Sequence, residues 1–158
     1  MTPKDAAAAL FQAMPKPITV DQIAEYGIEV TEPQARQVAR EILSLNLYWI
    51  MAAVDAHIPQ KYRALIGEVL FDTVTAAYPA VTFGLGAWAE YRPELDDRLG
   101  HYCKLMDDLL SPMALCAETA TLLEDLRVLP SDDRQKLLVM LIDYAPVDSY
   151  ARILDDVR

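Results

Sequence analysis

Eight apolar residues run unbroken from Leu47 to Val54, inside the stretch LNLYWIMAAVDAHIP. A membrane-spanning helix needs about 20 such residues, so this run must be read with its flanks. On a helical wheel, Ala35, Val38, Ile42, Leu45, Trp49, Ala52 and Ala56 fall on one stripe, the period of an amphipathic helix. The opposite side begins polar, with Arg36, Gln37, Arg40, Glu41 and Ser44. It then becomes apolar, with Leu47, Tyr48, Met51, Val54 and Ile58. A helix that is apolar all round is buried all round. The pattern predicts a helix that enters from the surface and, in its second half, becomes the central post of a bundle or meets a partner.

The punctuation on either side is helical. Thr2-Pro3 reads as an N-cap followed by proline at the first helical position, opening a helix to about Met14 with Leu10, Phe11 and Met14 on its apolar side. Pro15 and Pro17 stop it. Thr19 with Gln22 forms a capping-box pattern, and Ile18 with Ile23 a hydrophobic staple. Gly27 ends this short second helix in the usual left-handed place. Thr31 with Gln34 repeats the box and starts the long third helix, which should reach about His57 because Pro59 disfavours helix at the residue before it.

A fourth helix is expected over residues 60–77, with Tyr62, Leu65, Ile66, Val69, Leu70, Thr73 and Ala77 on one stripe. Residues 80–91 carry two glycines, each weakening a helix by about 1 kcal/mol relative to alanine. The helical surroundings still favour helix there. After Pro93, Leu95, Leu99, Tyr102, Met106 and Leu109 keep helical spacing. Ser111-Pro112 caps a helix to about Val128, Asp132 opens one to Tyr144, and Asp148 opens the last. The expectation is an all-α, compact, single-domain bundle over residues 1–158. About eight helices surround a long central third helix, with residues 1–57 as a three-helix N-terminal subunit.

Composition adds limits. Apolar residues make up 53% of the 158, enough to bury a core and too many for a disordered chain. The net charge is −10, from 24 acidic and 14 basic residues. The excess is spread along the chain: 4 bases against 7 acids to residue 60, 6 against 11 to residue 130, and 4 against 6 beyond. No basic patch stands out, which disfavours nucleic acid and anionic membranes and suits a basic protein partner. The segment MTPKDAAAALFQAM is a poor secretory signal, so a cytoplasmic protein is expected. Cys103 and Cys116 flank Ser111-Pro112 with no Cys-x-x-Cys spacing. Two buried or partly buried free thiols are expected rather than a disulfide.

Candidate chemistry is sparse. Neither His57 nor His101 has a glutamate three residues earlier, so the helical di-iron pattern is missing. Glu94, Asp97, Arg98, His101, Lys104 and Asp108 read as a solvated charged face. No nucleophile elbow, Walker loop or dinucleotide fingerprint occurs. The sequence predicts no catalytic residues, metal site or cofactor. Residues 19–43 have the rhythm of a helix-turn-helix, with Arg36, Gln37 and Arg40 on a polar face, yet residues 16–43 carry a net charge of −2, where a DNA reader shows a positive footprint.

Three residues suggest a ligand site. Asn46 lies beside Ile42 and Trp49 and must be hydrogen-bonded if buried. It reads as a satisfied core group or as the polar anchor of a cavity shared with Trp49 and Trp88. His57, in the last turn of its helix, faces the negative end of the helix dipole, with a ligand role as the alternative. Four others suggest a partner surface: Phe71, opposite its helix's apolar stripe, and Ala80, Gly84 and Trp88, on or beside a small-residue stripe if the fourth helix continues past Pro79.

The function expected is that of a non-enzymatic cytoplasmic protein that binds itself, a basic protein, or both. The alternatives are a small-molecule sensor or transcriptional regulator with a degenerate helix-turn-helix, and an enzyme without a familiar motif.

Overall fold

Three threonines start the first three helices. In a computed structural model describing residues 1–78, 83–109, 112–125 and 133–157, Thr2, Thr19 and Thr31 each accept a hydrogen bond from the backbone N–H three residues on. Asp5, Gln22 and Gln34 reach back to the cap N–H. Each box satisfies two N–H groups that the helix start would leave orphaned. The elements are α1 (Pro3–Ala13), α2 (Val20–Ala24), α3 (Glu32–His57), α4 (Gln60–Ala77), α5 (Trp88–Leu109), α6 (Pro112–Asp125), α7 (Arg134–Asp143) and α8 (Val147–Asp155). Among the described residues seven of these run nine residues or longer, α2 has only five, and no strand occurs. The chain is all-α, and none of these helices is long and apolar enough to cross a membrane.

The described part of residues 80–91 is not one continuous helix: it is irregular before Trp88 and helical from there on. Residues 79–82 lie outside the described part, Phe83 is in a turn, and 84–87 are irregular. Gly84 has φ +62° and Gly86 φ +106°. These left-handed conformations suit residues without a Cβ, so the glycines break the pattern they weaken. Phe83 stacks on Phe11 of α1, with ring centroids 5.8 Å apart. α5 then starts at Trp88 and carries Pro93 inside it, earlier than the start after proline that its spacing suggested.

α3 is the centre of the bundle. α8 and α4 pack on it, as do α5 and α6, while α1 packs chiefly on α4 and also on α8. α1 turns Ala6, Ala7 and Leu10 inward, and α4 turns Ile66, Leu70 and Val74 inward. The post is the middle of α3 rather than its second half: residues 41–50 are all buried, and Asp55, Ala56 and His57 return to solvent. Ile58 and Pro59 break the helix, and Arg63 Nε donates to the Ile58 carbonyl at 2.8 Å, satisfying one of its last acceptors.

Candidate functional site

The first half of α3 does not keep all of its polar side in water. Glu41 has 0% relative exposure. Arg98 of α5, whose side chain is 12% exposed, grips it with two guanidinium nitrogens, Nη2 to Oε1 at 2.9 Å and Nε to Oε2 at 3.0 Å. A planar fork on a carboxylate is the pairing best able to offset the desolvation of both charges. Gln37 Nε2 donates to Glu41 Oε1 at 3.3 Å and to Glu94 Oε1 at 2.9 Å. Arg40 donates to Gln37 and lies 4.0 Å from Glu94. Ser44 and Tyr91 share a buried hydrogen bond of 2.7 Å.

Arg40 and Arg98 face Glu41 and Glu94 in this cluster, and Arg98 also donates to the exposed Asp97 at 3.0 Å. Burial pushes the Glu41 carboxyl up, against the opposing pull of Arg98, while the hydrogen bond to Glu41 raises Arg98. Beside it, the Tyr78 and Tyr91 rings stack at 4.8 Å with Trp88 edge-on to both at 5.5 Å. The open cleft above, about 180 Å³, ends on Arg40 and Glu94. Both already have partners in the cluster. The charged face expected on α5 is corrected in part: Glu94 and Arg98 turn inward and His101 pairs with Glu118 at 2.8 Å, while Asp97 and Lys104 stay exposed. Of the helix-turn-helix trio, Arg36 is exposed while Gln37 and Arg40 reach toward Glu94.

In the middle of α3, Asn46 is fully buried and uses its whole amide. Nδ2 donates to the Ile42 carbonyl at 2.9 Å and to the Tyr144 carbonyl at 2.8 Å, and Oδ1 accepts from Tyr150 at 2.7 Å. One side chain therefore ties α3 to the end of α7 and to α8. The cavity it borders, with Met14, Ile42, Leu43, Phe83 and Leu85, holds about 10 Å³. That is room for about one water, where ligand pockets run to about 300 Å³ or more. Trp49 is buried edge-on against Tyr48 at 5.6 Å. His57 sits 11 residues beyond Asn46, about 16 Å along the axis, where its Nδ1 lies 3.5 Å from Asp155. The three residues read as a ligand site do not converge on a shared cavity.

The last two turns of α3 are different. Met51, Ala52 and Ala53 are half-buried and Asp55 and Ala56 exposed. A groove of about 520 Å³ runs between α3 and α5, lined by Tyr48, Met51, Ala52, Asp55, Ala56, Leu99 and Cys103. A second, of about 510 Å³, runs between α3 and α4 and shares Met51 and Asp55. Phe71 lies on the wall of this second groove, with the Arg92 guanidinium 5.7 Å from its ring. Of the other residues read as a partner surface, Gly84 sits in the exposed irregular loop, Trp88 packs in the aromatic trio, and Ala80 lies outside the described residues. Gly84 and Trp88 therefore do not share the continuous helical stripe the sequence suggested. Cys103 is exposed and Cys116 buried, both free, and burial pushes the Cys116 thiol up.

Sequence reading missed Glu41 and Arg98. One signal was present: Tyr91, Glu94, Arg98 and Tyr102 recur at helical spacing on α5, an inward stripe whose residues all end in polar groups. Among the described residues no three His, Cys, Asp or Glu side chains gather so as to hold a metal ion. Comparison with family models, with curated proteins and with solved structures returned no match.

Proposed function

We propose that the chain is a non-enzymatic cytoplasmic protein that works by binding another protein, a basic partner or a second copy of itself, through the last two turns of α3 and the grooves beside them. The observation that carries this reading is the placement of apolar surface. Met51, Ala52 and Ala56 belong to the most apolar segment of the chain, yet they surface between two grooves of about 500 Å³ each. Apolar side chains gathered in a groove mark a binding face more often than scattered ones do. The buried charges do not compete for a functional role, because Glu41, Glu94, Arg40 and Arg98 engage one another. Two free thiols suit a reducing compartment.

The test pairs sedimentation velocity with affinity capture, using the chain and its Met51→Lys variant. The expected result is a dimer, or a captured protein, present with the natural chain and lost with the variant at unchanged helical content. A monomer whose captured proteins are the same for both chains would overturn the reading.

A further inference from the structure

The two grooves differ in charge. Arg63 and Arg92 line the one between α3 and α4, along with Asp55 and Glu68. Among the described residues no cation lines the one between α3 and α5, and Asp55 is the charged residue on its wall. Asp107, exposed on α5 one helical turn beyond the wall residue Cys103, adds a second carboxylate on the same side of that helix. Among the described residues neither aspartate has a hydrogen bond or ion pair, whereas Glu41 and Glu94 of the charged cluster are each engaged by Gln37 and an arginine. The groove thus has an apolar floor of Met51, Ala52, Ala56 and Leu99 beside carboxylates that no direct ion pair engages, although Asp55 also faces the neighbouring groove lined by Arg63 and Arg92.

We infer that this groove takes a short basic amphipathic helix of another protein. The inference rests on the binding reading above and names its partner. Both walls are helices and no strand edge exists among the described residues, so docking by helix in groove fits better than strand addition. Tyr48 to Ala56 covers nine residues, about 12 Å along the axis, which faces about two turns of a docked helix. Such a helix would lay apolar residues at i, i+3 or i+4, and i+7 on the floor and place Lys or Arg toward Asp55 and Asp107. Met51 is suited to the contact because its unbranched side chain re-packs easily. A second copy fits less well, since it would bring a chain of net charge −10 against its like, and juxtaposed like charges act against a partner.

Cys103 offers a reporter. It lies on the groove wall and is exposed, while Cys116 is only 5% exposed. The probes are two synthetic helical peptides of about three turns with the same Leu/Ala face, one flanked by lysines and the other by glutamates. Binding to the full chain is read by fluorescence anisotropy and by the rate at which iodoacetamide alkylates Cys103. The lysine peptide should bind, slow alkylation, and weaken as salt rises. Asp55→Lys with Asp107→Lys should weaken it about tenfold or more, while Phe71→Asp, in the other groove, should leave it unchanged. Equal binding of both peptides, binding without protection of Cys103, or no binding of the lysine peptide would each overturn the inference. If the last result comes with a protein or dimer that Met51→Lys still abolishes, the binding reading survives and only the basic helix falls. If Met51→Lys abolishes nothing, both fall.

Discussion

Glu41 and Met51 lie ten residues apart on one helix and stand in inverted relation to water. The carboxylate is fully buried and the thioether half-exposed. The difference comes from what α5 presents to each end of α3. Toward the first half it turns Tyr91, Glu94 and Arg98, whose polar heads can satisfy buried partners. Toward the second half it offers Leu99 and Cys103 across an open groove, while α4 leans chiefly on α1. Burial along α3 is therefore decided by the facing helix rather than by the polarity of α3 itself. The charged cluster is finished as structure, and the last two turns of the apolar half are left partly open.

The largest expected effect breaks the charged half. Arg98→Ala would strand the Glu41 carboxylate in the interior, and removing one partner of a buried pair costs about 3–5 kcal/mol. Urea denaturation should show that loss, and Glu41→Leu with Arg98→Met should recover most of it, because two apolar groups leave no charge unpaired. A cost below about 1 kcal/mol for Arg98→Ala would mean the pair behaves as a surface bridge, and the contrast between the halves would fail.

Next comes the boundary between the halves. Asn46→Leu removes the donor to the Tyr144 carbonyl and the acceptor for Tyr150. Orphaning the buried Tyr150 hydroxyl and the part-buried Tyr144 carbonyl should cost about 2–4 kcal/mol. Because both lie on the α7–α8 side, hydrogen exchange should rise there first. Exchange rising instead along α5 would show that Asn46 is not what ties α8 to α3.

How much of this contrast was legible can be argued residue by residue. The capping boxes at Thr2, Thr19 and Thr31 were, because a cap is written within four residues. The full hydrogen bonding of Asn46 was legible as a requirement, though its partners lie 98 and 104 residues away. The Glu41–Arg98 pair was not, since its members are 57 residues apart and each alone reads as a surface charge on a polar face. The break at residues 83–87 was half legible: Gly84 and Gly86 weakened the helix pattern, but their left-handed angles follow from the path between α4 and α5. The open groove was not legible at all, since a helix apolar all round reads as buried all round and whether neighbours cover it is a matter of tertiary packing.

A smaller effect concerns the phenols beside the charged cluster. Burial pushes the Tyr78 phenol from 10.0 up to about 12, and burial raises Tyr91 as well, with Ser44 pulling the other way. A folded pKa raised above the unfolded one means stability that is complete below the unfolded value and lost as pH rises through the folded value. The natural chain should therefore lose stability across pH 10 to about 12, and Tyr78→Phe should flatten part of that fall. Denaturation midpoints measured across the window check this. An equal slope in both chains would place the Tyr78 hydroxyl in water rather than in the interior.

The smallest effect on stability is expected in the apolar half, and it sharpens the comparison most. Ala56 is exposed in the last turn of α3. Ala56→Lys gives up little helix propensity, places a cation near the negative end of the helix dipole, and strands no group, because the position is wet. Its stability should stay within about 0.5 kcal/mol of the natural chain. The same change puts an ammonium on the floor of the α3–α5 groove, where a docked apolar face would have to desolvate it and a basic helix would meet a like charge. Binding should fall sharply while the urea midpoint hardly moves. Arg98→Ala is expected to do the reverse once corrected for its folded fraction: a large loss of stability, with binding by the remaining folded molecules little changed. If Ala56→Lys instead destabilised the fold by several kcal/mol, the end of α3 would be packed rather than open, and the groove would belong to the core.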